Sequence, residues 1–94
     1  MMKPNKLYNK LWKKFGRKHQ IDRLIEEQVE LIKSLLKARR NKKTYTKKVL
    51  EELADVRICT DQLIWFLKKK GIYKQVKKMK VFKLNRLKHI LRGD

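Results

Sequence analysis

The sequence predicts an all-α protein: one domain over residues 1–94, a helical hairpin with flanking helices. Three observations carry this. Hydrophobic residues make up 41% of the chain and recur at helical spacing. There are only three Gly and one Pro, and each stands where a helix should begin or end. The signals for half-buried strands are weak.

The first helix is expected over residues 5–15, where Leu7, Tyr8, Leu11, Trp12 and Phe15 form an amphipathic set. Pro4 suits a first helical turn, and Gly16 is placed to end it. A second helix is expected over 20–39, with Ile21, Leu24, Ile25, Gln28, Leu31, Ile32 and Leu35 on one wide face. His19 falls before it, at the helix start. Arg39 and Arg40 suit a helix C-terminus. The basic segment 41–45 reads as a solvated connection, with Thr44 or Thr46 as a candidate cap for a third helix over 47–70. That helix is apolar on nearly every side from Val56 to Leu67. A chain of this length buries only ~60–65% of its unfolded surface, so a partner subunit is expected to cover the excess. Lys68-Lys69-Lys70-Gly71 is a stop signal. A fourth helix is expected over 73–91, with Val76, Met79, Phe82, Lys83, Leu87 and Ile90 as a patchy stripe.

The chain carries 28 Lys and Arg, nine acidic residues and a net charge of +19. Such charge favours polyanionic company or a steering field for an anionic ligand, although a merely solvated Lys-rich surface gives the same count. The lone Cys59 sits in an apolar stretch and reads as a buried structural thiol, which fits a reducing compartment. No apolar run of signal-peptide length follows the basic N-terminus, and the longest apolar stretch, Leu63–Leu67, is far below the ~20 residues of a membrane span. A cytoplasmic protein with no membrane partner is expected.

Six of the nine acids fall in two clusters, Glu26-Glu27-Gln28-Val29-Glu30 and Glu51-Glu52-Leu53-Ala54-Asp55. Residues three or four apart share a helix face, so opposing two such helices gathers four or five carboxylates, which repel unless a cation lies between them. Hard oxygen donors of this kind suit Mg²⁺, with Mn²⁺ as an alternative. The alternative is a set of surface Glu in helix ion pairs. Such pairs favour a cation four residues after the Glu, yet the residues four on from Glu26, Glu27, Glu30, Glu51, Glu52 and Asp55 are all non-basic. Reverse-order pairs, from Arg23 to Glu27, from Lys47 to Glu51 and from Lys48 to Glu52, exist but have the weaker orientation. His19 and His89 lie outside both clusters, which argues for a hard, redox-inert metal.

The order E-E-x-x-E, about twenty residues, then E-x-x-D on a following helix resembles the MazG-like nucleotide pyrophosphohydrolases of the all-α NTP pyrophosphatase superfamily. The resemblance covers roughly residues 12–91. It includes Phe15-Gly16 and Gln20, the segment Leu24–Leu31, the segment Leu50–Val56, and Lys83-Leu84-Asn85-Arg86-Leu87. It implies a dimer or tetramer built around four-helix bundles and Mg²⁺-dependent hydrolysis of nucleoside triphosphates to monophosphate and pyrophosphate. By position it implies Glu27, Glu30, Glu52 and Asp55 as metal ligands, and Glu26 as the carboxylate acting on the attacking water. Lys83 and Arg86 would meet phosphate oxygens, and Trp12 and Gln20, more loosely, base or ribose. Trp12 and Trp65 read first as core or interface residues. The chain's basicity departs from a family that is often acidic or near neutral. Two other readings are a non-catalytic, basic helical module that binds nucleic acid, and a phosphoribosyl-ATP pyrophosphohydrolase of similar size.

Overall fold

The computed structural model describes residues 2–93, and these are helical throughout apart from short connections. Helix α1 spans Pro4–Arg40, α2 spans Lys47–Lys69 and α3 spans Tyr73–Arg92. Pro4 stands in the first turn of α1. Gly16 interrupts α1 with φ 87° and ψ 163°, a backbone region that is essentially closed to residues bearing a Cβ. The expected break at Gly16 is therefore present as a kink. The helix resumes at Arg17, which puts His19 inside it and not at its start. Nothing in Arg17-Lys18-His19 opposes helix, so the break is one residue wide.

Thr46 caps α2, its hydroxyl accepting from the Val49 amide at 3.2 Å. After α2, Gly71 adopts φ 75°. The Ile72 amide reaches Leu67 O and the Gly71 amide reaches Lys68 O, both at 3.1 Å, the paired bonds of a Schellman ending. Helix α1 ends in the same way, but with Lys42 at φ 57° in the position that favours glycine.

The segment of α1 beyond the kink runs antiparallel to α2. Its inward positions are Gln20, Leu24, Glu27, Leu31, Ser34 and Ala38; those of α2 are Val49, Glu52, Val56, Cys59, Gln62, Leu63 and Phe66, all buried or half-buried. Spacings of three and four make this a coiled-coil-like seam. The arm before the kink continues along α2. Trp12 stacks on Phe66 with centroids 4.5 Å apart, and Lys69 Nζ donates to Asn9 Oδ1 at 3.4 Å. Trp12 is thus a packing residue, with its Nε1 buried and unpartnered.

The buried apolar core of the single chain is small: Ala38, Val49 and Cys59. Sequence reading assigned one wide apolar face to α1, and the structure divides it. Leu24 and Leu31 turn into the seam, while Ile25, Ile32 and Leu35 are exposed. An apolar arc this wide is more than one neighbouring helix covers. The all-round apolar half of α2 is likewise only half-buried. Helix α3 contacts α2 but not α1, and none of its residues is buried. Among the described residues, no helix is long and apolar enough to cross a membrane.

Candidate metal centre

The seam places acidic side chains where a coiled coil ordinarily places apolar ones. Glu27 points in from α1, and Glu52 and Asp55, one turn apart, come from α2. Their carboxylate oxygens lie within 4.8 Å of one another. Glu52 is 5% exposed, Glu27 is half-buried, and Asp55 opens to solvent. The Glu27 carboxyl is held above its ordinary value, chiefly by burial and then by the charges of Asp55 and Glu52, with Arg23 opposing. A hydrogen bond between Glu27 and Asp55 acts in the same direction.

Cations edge the group. Lys48 Nζ lies 2.7 Å from Glu52 Oε1, and an Arg23 guanidinium nitrogen lies 3.6 Å from Glu27 Oε1. The Lys48 ammonium is raised, first by its bond to Glu52 and then by that residue's charge. These contacts correct the sequence argument: two of the three reverse-order pairs set aside as the weaker orientation, Arg23–Glu27 and Lys48–Glu52, do form. They form because Arg23 and Lys48 have long stems that reach the seam from its exposed edge while their heads stay in water.

Glu30 is not in the three-residue group. It is exposed and pairs with Lys33 at 3.4 Å. Glu30 sits about 60° round the helix from Glu27, and Glu26 about 100°, so a seam centred on Glu27 leaves both outside. Glu26 and Glu51 are exposed as well. The expected gathering of four or five carboxylates is, within one chain, a gathering of three.

A cleft of about 450 Å³ adjoins the carboxylates, with Phe15, His19, Gln20, Arg23, Asp55 and Gln62 among its walls. Gln20 is buried, and its Nε2 donates to Gln62 Oε1 at 2.6 Å. His19 Nδ1 lies 3.0 Å from Gln20 Oε1, and the His19 ring stacks on Phe15 at 4.9 Å. Cys59 also lines this cleft, where burial pushes its thiol up against the opposing pull of Arg23. A thiol kept protonated is a wall and not a nucleophile.

Lys83 and Arg86 lie on α3, where they line a shallow groove with Leu87 and Ile90. Since α3 does not pack on α1, one chain does not bring them to Glu27. Sequence reading undervalued Arg23 and Lys48 and missed Gln62. The first two were legible as i−4 partners, and Gln62 as the residue seven on from Asp55, on the same face of α2.

No family model, curated protein or solved structure matches the chain. What the site can do therefore follows from its residues. Three convergent carboxylates, one of them raised chiefly by burial and then by its neighbours, form a hard-oxygen donor set. That chemistry fits Mg²⁺ or Mn²⁺.

Proposed function

We propose that the protein is a Mg²⁺-dependent nucleotide pyrophosphohydrolase, converting a nucleoside or deoxynucleoside triphosphate to the monophosphate and pyrophosphate. The observation that carries this reading is the convergence of Glu27, Glu52 and Asp55 beside a cleft with polar and aromatic walls. Residues from both acidic motifs of the sequence meet there. Glu27, Glu52 and Asp55 would hold the metal, with Glu30 one turn away on the exposed flank. When bound, Mg²⁺ supplies charge neutralisation for the triphosphate and acidifies water. Glu26, exposed beside the group, is assigned to orienting or deprotonating that water. Gln20, held by Gln62 and His19, offers a fixed amide to base or ribose. Arg23 adds a cation at the edge of the cleft.

We also propose that the active form is a homo-oligomer of four-helix-bundle type, a dimer or a dimer of dimers. Ile25, Val29, Ile32 and Leu36 form an exposed stripe on α1, and Leu50 and Leu53 lie exposed on α2. The α1 stripe lies about 150° and the α2 stripe about 130° from the seam, in the same rotational sense. On two antiparallel helices this puts both on one side of the hairpin. A second hairpin laid on that side completes four helices, and only such an assembly offers Lys83 and Arg86 a route to a substrate phosphate. The experiment is pyrophosphate release from a panel of NTPs and dNTPs, with Mg²⁺ and with chelator. A folded protein that releases none from any nucleotide refutes the reading.

A further inference from the structure

The cations are not spread evenly. Residues 3–21 hold seven Lys or Arg and residues 62–93 hold eleven, with no Asp or Glu in either stretch. The antiparallel hairpin lays the first stretch beside the start of the second, where Trp12 stacks on Phe66 and Lys69 meets Asn9. A solvated Lys-rich surface would intersperse acids along such stretches.

That region is also aromatic. Two adjoining clefts share Trp65 and Lys69. One, of about 350 Å³, is floored by Trp12, Trp65 and Phe66 and rimmed by Lys13, Lys69 and Lys70. The other, of about 560 Å³, has Tyr8 and Trp65 with Lys68 and Lys69, and Asp61 as its one acidic wall. Lys69 lies 5.2 Å from the Trp65 ring centre, Lys70 5.6 Å from Phe66, and Lys68 5.2 Å from Tyr73. From Tyr73, α3 carries the charge onward with eight further Lys and Arg.

We infer that this region of the molecule binds single-stranded nucleic acid, at a surface separate from the carboxylate cleft. Lysines alternating with half-exposed rings match a chain that alternates phosphates with flat bases. A duplex hides its base faces and would leave the rings unused. An anionic lipid surface fits less well. Lys83 falls among Val76, Met79, Leu87 and Ile90 on the wheel of α3, with Lys80 and Arg86 at the two edges of that arc, so a cation interrupts the apolar face that would sink into a bilayer. The inference stands whether or not the carboxylates act on nucleotides.

The test is fluorescence anisotropy of a labelled oligothymidylate of twenty nucleotides, at 50 and 200 mM KCl, with the full chain. If Lys13, Lys68, Lys69 and Lys70 each meet a phosphate, affinity falls about 50-fold between the two salts. Replacing two of them, Lys69→Gln with Lys70→Gln, reduces that ratio to about sevenfold. Both side chains are exposed, so the variant keeps its fold, as circular dichroism would verify. Trp65→Leu weakens binding about 5- to 150-fold by loss of a stacking face. Equal affinity for a duplex of the same length overturns the inference, as does wild-type binding by the double-lysine variant. Binding to phosphatidylserine vesicles with none to the oligonucleotide overturns it too.

Discussion

Glu27→Gln separates the cost of the carboxylate group from its use. Two charges 4.8 Å apart, the outer limit of the group, repel by about 3.5 kcal/mol at an effective dielectric near 20. Asp55 is open to water and Arg23 stands beside Glu27, which reduces the net repulsion to about 1 kcal/mol. Without metal, Glu27→Gln should therefore be more stable than wild type by about 1 kcal/mol, or about 4–8 °C in Tm for a chain of this size. With Mg²⁺ at a hundredfold excess over its Kd, the wild type gains about 2.7 kcal/mol by linkage, about 10–20 °C. The variant, lacking a ligand, gains little, and the order of stabilities reverses. The assay is thermal unfolding followed by circular dichroism at fixed protein concentration, with chelator and with Mg²⁺.

The pH dependence adds a check of sign. The Glu27 carboxyl is raised from an ordinary value of 4.5 in the folded chain. Its contribution to metal-free stability is therefore fully present below pH 4.5 and is lost as pH rises through the folded value. Glu27→Gln has no such loss, so its advantage over wild type should be small in acid and grow toward neutral pH. A variant less stable than wild type in chelator, or one that keeps the full Mg²⁺ shift, refutes the assignment of Glu27 as a repelled carboxylate that awaits a cation.

Three further predictions use different parts of the chain. Gly16→Ala should lose about 1–3 kcal/mol, because φ 87° and ψ 163° admit only glycine without strain; the loss would appear as a lower Tm. Lys42→Gly should gain about 0.5–1 kcal/mol by relieving a left-handed lysine, read in the same way. Ile32→Glu places a charge on an exposed apolar side, and should convert an oligomer to monomer in sedimentation equilibrium. An unchanged mass would remove that side as the interface.

Helix boundaries were readable because their signals are local. Pro4, Gly16, Thr46 and Lys68-Lys69-Lys70-Gly71 each act within one turn, and each marks a start, kink, cap or stop in the structure. Burial of Cys59 followed from its apolar neighbours in the same way. The rotation of α1 about its axis was not readable. Counting apolar residues favours a face through Ile25 and Ile32, whereas the seam runs through Gln20, Glu27 and Ser34. Polar residues enter a seam when each finds a partner there. Gln20 finds Gln62, and the Ser34 hydroxyl donates to Leu31 O at 2.8 Å. The Ser34 bond is local to α1, but the Gln20–Gln62 pairing depends on which helix lies opposite, which no local window contains. The position of α3 was equally hidden, because a glycine turn fixes a helix end and not the surface on which the next helix rests.

The polar seam bears on why the carboxylates are there at all. Of the buried side chains, Gln20, Ser34, Glu52 and Gln62 are polar, so the seam stabilises the hairpin less than leucines would. A structural role for Glu27 and Glu52 would be their ion pairs with Arg23 and Lys48, but both cations are mostly exposed, at 54% and 63%, and pairs of this kind contribute little. Replacing buried charges by apolar side chains of similar size is often stabilising, by about 1–4 kcal/mol. Glu27→Leu with Glu52→Leu should then raise Tm while abolishing both the Mg²⁺ shift and pyrophosphate release. Arg23 and Lys48 lose partners but remain in water, so no charge is stranded. If this double variant is instead less stable than wild type in chelator, the ion pairs hold the hairpin together and the acidic seam is architecture. If it is more stable and inert, the chain retains these carboxylates against its own stability, as a site held for a cation requires.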